Sequence, residues 1–210
     1  MFLSRSLSAR FQELLEDFPV VVVVGARQVG KTTLVKKMLA PGWETLTFDP
    51  FQDIGNARED PDLFLANHPS PLFLDEIQYA PEVVGALKRR IDNHGRGPGQ
   101  YVLSGSQQWE VMRSLAESLA GRVVFLDLEG FSLTESAGAG SHGHWLQEWL
   151  SDPEKFIKTP KKRLPAPMTL YEHLWRGWLP EAQRVKASNV GDFHQAYHRT
   201  YIETHIYHFN

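Results

Sequence analysis

The stretch Val20-Val-Val-Val-Val-Gly-Ala-Arg-Gln-Val-Gly-Lys-Thr-Thr33 decides the fold. Five consecutive valines suit a strand buried on both faces of a parallel sheet. Gly25, Gly30, Lys31 and Thr32 then complete the G-x-x-x-x-G-K-[ST] spacing of a phosphate-binding loop. The glycines let the backbone curl so that its N–H groups face an anion, and the helix that follows turns its positive N-terminus toward the same point. Ala26, Arg27, Gln28, Val29 and Thr33 fill the rest of the cradle. Lys31 is expected to reach the β- and γ-phosphates, and the Thr32 hydroxyl to hold Mg²⁺. Thr32 to Ala40 reads as a helix stopped by Pro41-Gly42. Strand, glycine loop and helix arrive in the order a nucleoside triphosphate site requires, so ATP with Mg²⁺ is the expected ligand.

Outward from this unit, strands and helices alternate. Strands are expected at Glu44–Asp49, Pro71–Asp75, Gln100–Ser104 and Arg122–Leu128, and helices at Pro61–Asn67, Pro81–Asn93 and Gln108–Leu119. Upstream, Leu3, Leu7, Phe11, Leu14, Leu15 and Phe18 recur at helical spacing and predict an amphipathic helix beside the first strand. This alternation implies an α/β fold: a three-layer α/β/α sandwich of the phosphate-loop NTPase type, around a mostly parallel five-stranded sheet. From Ser136 the composition shifts to a Trp-rich patch, a Pro- and Lys-rich run and a His- and Tyr-rich tail. The expected division is therefore a core over residues 1–135 and a small, mainly helical C-terminal region over residues 136–210.

A second signature is Leu72-Phe-Leu-Asp75-Glu76. A carboxylate at the C-terminal end of a strand sits where open α/β sheets bind their ligands. Asp75 is expected to orient Mg²⁺, and Glu76 to act as general base on the attacking water. A solvated strand end is the bland reading of an Asp-Glu pair; the complete phosphate loop upstream outweighs it. Leu103-Ser-Gly-Ser-Gln107 ends the next strand, and Ser104 and Ser106 are both candidates to sense the γ-phosphate or align the water, against a serine-capped glycine turn. Arg122, at the junction of a helix and the last strand, is a candidate to stabilise charge in the transition state, supplied across a subunit interface. Its alternative is an ion pair with a local carboxylate, and Arg27 and Arg113 are its rivals.

The 210 residues suffice for one α/β domain and an appendage. A net charge of −3 gives no global case for nucleic acid or membrane partners. The chain has no cysteine, which excludes disulfides and thiolate metal sites and fits a cytoplasmic location. No apolar run approaches the roughly 20 residues that span a bilayer. Lys161-Lys162-Arg163 reads as a solvated loop, with nucleic acid phosphates as its alternative partner. His194 and His198, four residues apart, with His205 and His208 beyond, read as surface or interface histidines before metal ligands. Trp145, Trp149, Trp175 and Trp178 read as packing residues of the C-terminal region.

Gly-Ala-Arg-Gln-Val-Gly-Lys-Thr-Thr-Leu, Leu-Phe-Leu-Asp-Glu-Ile-Gln, Leu-Ser-Gly-Ser-Gln, Leu-Ala-Gly-Arg and Leu-Trp-Arg-Gly-Trp-Leu-Pro-Glu together resemble a prokaryotic group of AAA-type ATPases. That group joins a nucleotide-binding core to a C-terminal domain of unknown function. The resemblance runs to about Thr204. It implies a sheet in which the serine-bearing strand separates the loop strand from the carboxylate strand. It also implies the roles given above to Lys31, Thr32, Asp75 and Glu76, with a serine near the γ-phosphate. Members of the group usually continue near Tyr201-Ile-Glu with an Arg-Asp pair and a further domain. This sequence reads Thr-His-Ile-Tyr-His-Phe-Asn instead, so a truncated chain, with its last region an incomplete lid or linker, is the expectation. The expected activity is Mg²⁺-dependent ATP hydrolysis driving a conformational change, in a homo-oligomer or with a protein partner. The alternatives are an ATP switch with negligible turnover and a small-metabolite kinase.

Overall fold

A computed structural model describes residues 2–106, 115–140, 145–160, 164–165 and 167–203. Contacts divide the chain into two units, Ala9–Glu129 and Met1–Ser8 with Gly130–Asn210.

The first unit is a three-layer α/β domain. Its strands are β1 (Val20–Val24), β2 (Glu44–Thr47), β3 (Leu72–Asp75), β4 (Tyr101–Gly105) and β5 (Val123–Asp127). They form one five-stranded sheet in the order β2-β3-β4-β1-β5, and every pairing is parallel. The serine-bearing β4 thus separates the loop strand from the carboxylate strand. Parallel strands need crossovers, and the described ones include α2 (Lys31–Met38), α3 (Pro61–Asn67) and α4 (Val83–His94). Helix α1 (Ser8–Asp17) precedes β1 and buries Phe11 and Leu14. It starts later than the sequence periodicity suggested: Leu3 and Leu7 lie ahead of it.

The five valines owe their composition to position. β1 lies between β4 and β5, is covered on both faces, and leaves Val20 to Val23 fully buried. Burying each such side chain stabilises the fold by about 1.5–3 kcal/mol. Alternate residues Val20, Val22, Val24, Leu72, Leu74, Tyr101 and Leu103 join one core with Phe64, Ile77, Leu87 and Ile91. Val21, Val23, Phe73 and Val102 turn to the opposite face, as the two-residue strand period requires, and are equally buried. At the sheet edge β2 needs no such pattern, and Glu44 and Thr47 are exposed. Local chemistry sets the helix starts: Asp60 caps α3 by accepting from the Leu63 amide at 3.0 Å, with Pro61 as first helical residue.

The second unit is mainly helical, with helices at Leu133–Ser136, Trp145–Ser151, Pro153–Lys158, Leu170–Arg176 and Val190–Tyr197. Contacts group Met1–Ser8 with this unit, which runs on from Gly130. The cause is a buried ion pair. Arg5 meets Glu135 at 3.2 Å with both side chains 5% exposed, while Glu135 also accepts from the Ser6 and Ser132 amides. Trp178 packs as expected, stacking on buried His173 at 5.6 Å between ring centroids. Trp149 and Trp175 do not: they are 39% and 53% exposed, and the Leu170–Arg176 helix that carries Trp175 turns His173 and Arg176 inward instead. Arg176 is satisfied there by Glu172 and by the Ala182 and Val185 carbonyls. The His194 ring meets the Arg176 carbonyl at 2.9 Å, a backbone contact that accounts for this histidine. Arg113, Lys161, Lys162, Arg163, His205 and His208 lie outside the described residues. Among the described residues no helix is long and apolar enough to cross a membrane.

Candidate functional site

Residues 25–30 leave the C-terminal end of β1 and curl back into α2. At Gly25 only glycine fits, since a Cβ there would stand 2.2 Å from the Leu128 carbonyl oxygen. Gly30 and Gln28 adopt left-handed backbone, with φ of 98° and 65°. For Gln28 this costs about 1–2 kcal/mol, as for any residue with a side chain. Val29 is 2% exposed and anchors the loop in the core. Ala26 and Arg27 are half-buried, Gln28 is exposed, and Thr33 is exposed one turn into α2.

Lys31 is 6% exposed. Its ammonium folds back over the loop and donates to the carbonyls of Gly25 at 3.1 Å and Ala26 at 3.0 Å. Burial lowers its pKa from the ordinary lysine value; the Glu76 and Asp75 carboxylates oppose that shift, and Arg27 adds to it. A desolvated cation with carboxylates close by is suited to receive phosphate oxygens.

The carboxylate strand meets the loop directly. Thr32 Oγ1 donates to Asp75 Oδ2 at 2.8 Å, and Asp75 is 3% exposed. Ser104 Oγ donates to the other carboxylate oxygen of Asp75. Glu76 follows at φ 58° and ψ 45°, a left-handed kink that turns the chain out of β3 into a short 3₁₀ turn, Ile77–Tyr79. Gln78 donates from its side-chain amide to Glu76 Oε2. Arg27 Nη2 donates to the Tyr79 hydroxyl at 2.7 Å, so the phosphate loop is tied to this turn as well.

The two candidate serines sit differently. Ser104 is fully buried and gives its one hydroxyl proton to Asp75. The reason is register: Leu74 pairs with Leu103, which puts Asp75 and Ser104 side by side at the next position. Ser106 is 1% exposed, lies just past Gly105, the partner of Val24, and its hydroxyl meets no partner among the described residues. Of the two serines it is the one with a hydroxyl to offer.

Arg122 is not brought to the site of its own chain. It precedes β5, whose first residue pairs with Val20, so it stands at the N-terminal edge of the sheet. That is roughly 20 Å from Gly25, six residues along the strand at about 3.3 Å each. There it grips Asp92 through Nε and Nη2, at 2.7 and 2.9 Å, and holds the Asp92 carboxyl below its ordinary pKa.

Ser104→Ala leaves one oxygen of a buried carboxylate without its donor. It is expected to lower stability by about 1.5–3 kcal/mol, the range for hydrogen bonds to charged groups, as read by urea unfolding. ATP affinity without Mg²⁺ should stay within about threefold of wild type, an order-of-magnitude allowance for an indirect contact.

The residues present fit a magnesium–nucleotide complex. The loop excludes any Cβ at Gly25, Lys31 is a buried donor with one proton beyond its two carbonyl bonds, the Ser106 hydroxyl has no partner among the described residues, and Thr32 and Asp75 pair a hydroxyl with a carboxylate. These features define a P-loop nucleotide-binding site. A family model described as "AAA domain" matches residues 17–137, and the chain belongs to this family of AAA-type P-loop ATPases. Uncharacterised proteins of Mycobacterium tuberculosis and Mycobacterium bovis are each 30% identical to it over 144 residues, which is 68% of this chain. The chain spans only about a third (32%) of the length of these curated relatives. Among solved structures it is similar to a Walker-type ATPase of Pyrococcus abyssi, at 15% identity and a TM-score of 0.49, covering 82% of this chain and 63% of that one. It is also similar to the RuvB Holliday junction branch migration motor of Thermotoga maritima, at 18% identity and a TM-score of 0.43, covering 66% of this chain and 49% of that one.

Proposed function

We propose that the chain binds ATP with Mg²⁺ and hydrolyses it, using the turnover to drive a conformational change. The observation that carries this reading is the 2.8 Å bond from Thr32 to Asp75, with Glu76 adjoining Asp75. It joins the two halves of a hydrolytic site that lie 43 positions apart.

Each residue then has a task. The loop backbone cradles the phosphates, and Lys31 exchanges loop carbonyls for β- and γ-phosphate oxygens. Thr32 and Asp75 would hold Mg²⁺, which supplies charge neutralisation between the phosphates. Glu76 takes the proton from water as its oxygen bonds to the γ-phosphorus and the bridging oxygen leaves with ADP. Ser106 offers its hydroxyl to the γ-phosphate. Ser104 keeps Asp75 oriented.

The test is release of inorganic phosphate from ATP by the purified protein with Mg²⁺ and no other substrate, over a hundredfold range of protein concentration. Turnover with ATP alone is expected and separates hydrolysis from a passive switch or a kinase; its absence refutes the reading. A role for Arg122 across an interface between copies requires the Asp92 pair to open and activity per chain to rise with concentration. A flat profile leaves Arg122 as the partner of Asp92. The cellular output and a cytoplasmic location belong to the same proposal, supported by the family's chemistry alone.

A further inference from the structure

The turn after the carboxylate strand carries a side chain that the scheme above does not use. Gln78 is 7% exposed although it is a polar residue on a three-residue turn. Its amide nitrogen donates to Glu76 Oε2, while its amide oxygen is buried without a partner among the described residues. The turn holding it is anchored on three sides. Arg58 Nε donates to the Tyr79 carbonyl at 2.6 Å, Arg27 to the Tyr79 hydroxyl at 2.7 Å, and the Tyr79 amide to the Glu76 carbonyl at 3.0 Å. Burying a polar amide with half its hydrogen-bonding capacity unmet costs about 1–3 kcal/mol. An apolar residue would fill the same space without that cost, so packing does not explain a glutamine here.

We propose that Gln78 is the positioning residue for Glu76, deepening the hydrolytic reading on which it rests. Glu76 stands on left-handed backbone at the end of β3, and its long side chain alone has several rotamers to choose from. The Gln78 amide selects one by occupying a single carboxylate oxygen. The other oxygen is left to take the water proton. Because Arg27 of the phosphate loop holds the same turn, filling the loop and aiming the base are mechanically linked.

The experiment compares wild type, E76Q, Q78L and the double variant, with Q78M as a second apolar replacement and urea unfolding to certify each fold. Q78L is expected to lower kcat about 10–100-fold, the scale of a misaimed reacting group, with KM and the calorimetric Kd for ATP within about threefold. In the E76Q background Q78L should lower kcat no further, since the group it positions is already gone. Without nucleotide, urea unfolding of wild type, E76A, Q78L and their double variant should be non-additive. A kcat for Q78L and Q78M within threefold of wild type, full multiplication of the two losses, or additive unfolding energies would overturn the proposal. If E76Q itself turns over like wild type, Glu76 is not the base, and this proposal falls with that assignment while hydrolysis stands. A large loss in E76Q beside an unaffected Q78L removes Gln78 alone.

Discussion

Lys31→Ala is expected to weaken ATP binding by roughly 10²–10⁴-fold, which takes it out of reach of an ordinary calorimetric titration. The ammonium is almost fully buried and its present partners are the carbonyls of Gly25 and Ala26. Phosphate oxygens replace those carbonyls with charge-assisted bonds, each worth about 1.5–3 kcal/mol, and alanine forfeits at least two of them. The fold should survive. Burial lowers the Lys31 pKa, so the protonated form opposes folding at neutral pH; that opposition begins to decline as pH rises through the lowered value and is gone above the ordinary lysine value. Removing the cation removes this penalty along with the two carbonyl bonds. Wild-type affinity in a folded Lys31→Ala protein would exclude the phosphate-loop assignment.

Glu76→Gln is expected to separate binding from chemistry. The amide keeps the shape of the side chain and cannot accept the proton, so turnover should fall about 10²–10⁴-fold, the usual contribution of a general base. ATP affinity should change little, because Lys31, Thr32 and the loop backbone remain. Steady-state phosphate release and calorimetry on the same preparation measure both halves. Hydrolysis within a few-fold of wild type would transfer the base role to another group.

How much of this was legible in the sequence varied with the range of the interaction. The strand, loop and helix around Gly25 to Thr32 are coded locally: β-branched residues for a two-sided strand, glycines where the backbone turns left-handed or passes Leu128, and a lysine at the helix start. Asp75 and Glu76 were readable for the same reason, with an apolar strand delivering them to the sheet edge. Ser104 and Arg122 were visible as residue types in suggestive places, but their partners were not. Both depend on parallel register, which places Ser104 beside Asp75 and Arg122 at the far edge near Asp92. Gln78 ends the Leu-Phe-Leu-Asp-Glu-Ile-Gln motif, where its residue type alone assigns it no role. The signal was there, a polar residue between Ile77 and Tyr79 just past a carboxylate, yet only its burial distinguishes it from a solvated turn residue. Composition changes at Ser136, but it does not reveal the pairing of Arg5 with Glu135, which lie 130 positions apart and meet while buried.

A single-turnover experiment tests the central claim most directly. The protein, in excess over radiolabelled ATP with Mg²⁺, binds essentially all the nucleotide, and the products are separated after acid quench at increasing times. Conversion of the bound ATP to ADP and phosphate by wild type, with ATP held intact on Glu76→Gln, is the predicted result. ATP that stays intact on the wild-type protein for as long as on the variant would contradict it, leaving a nucleotide-holding module in place of an ATPase.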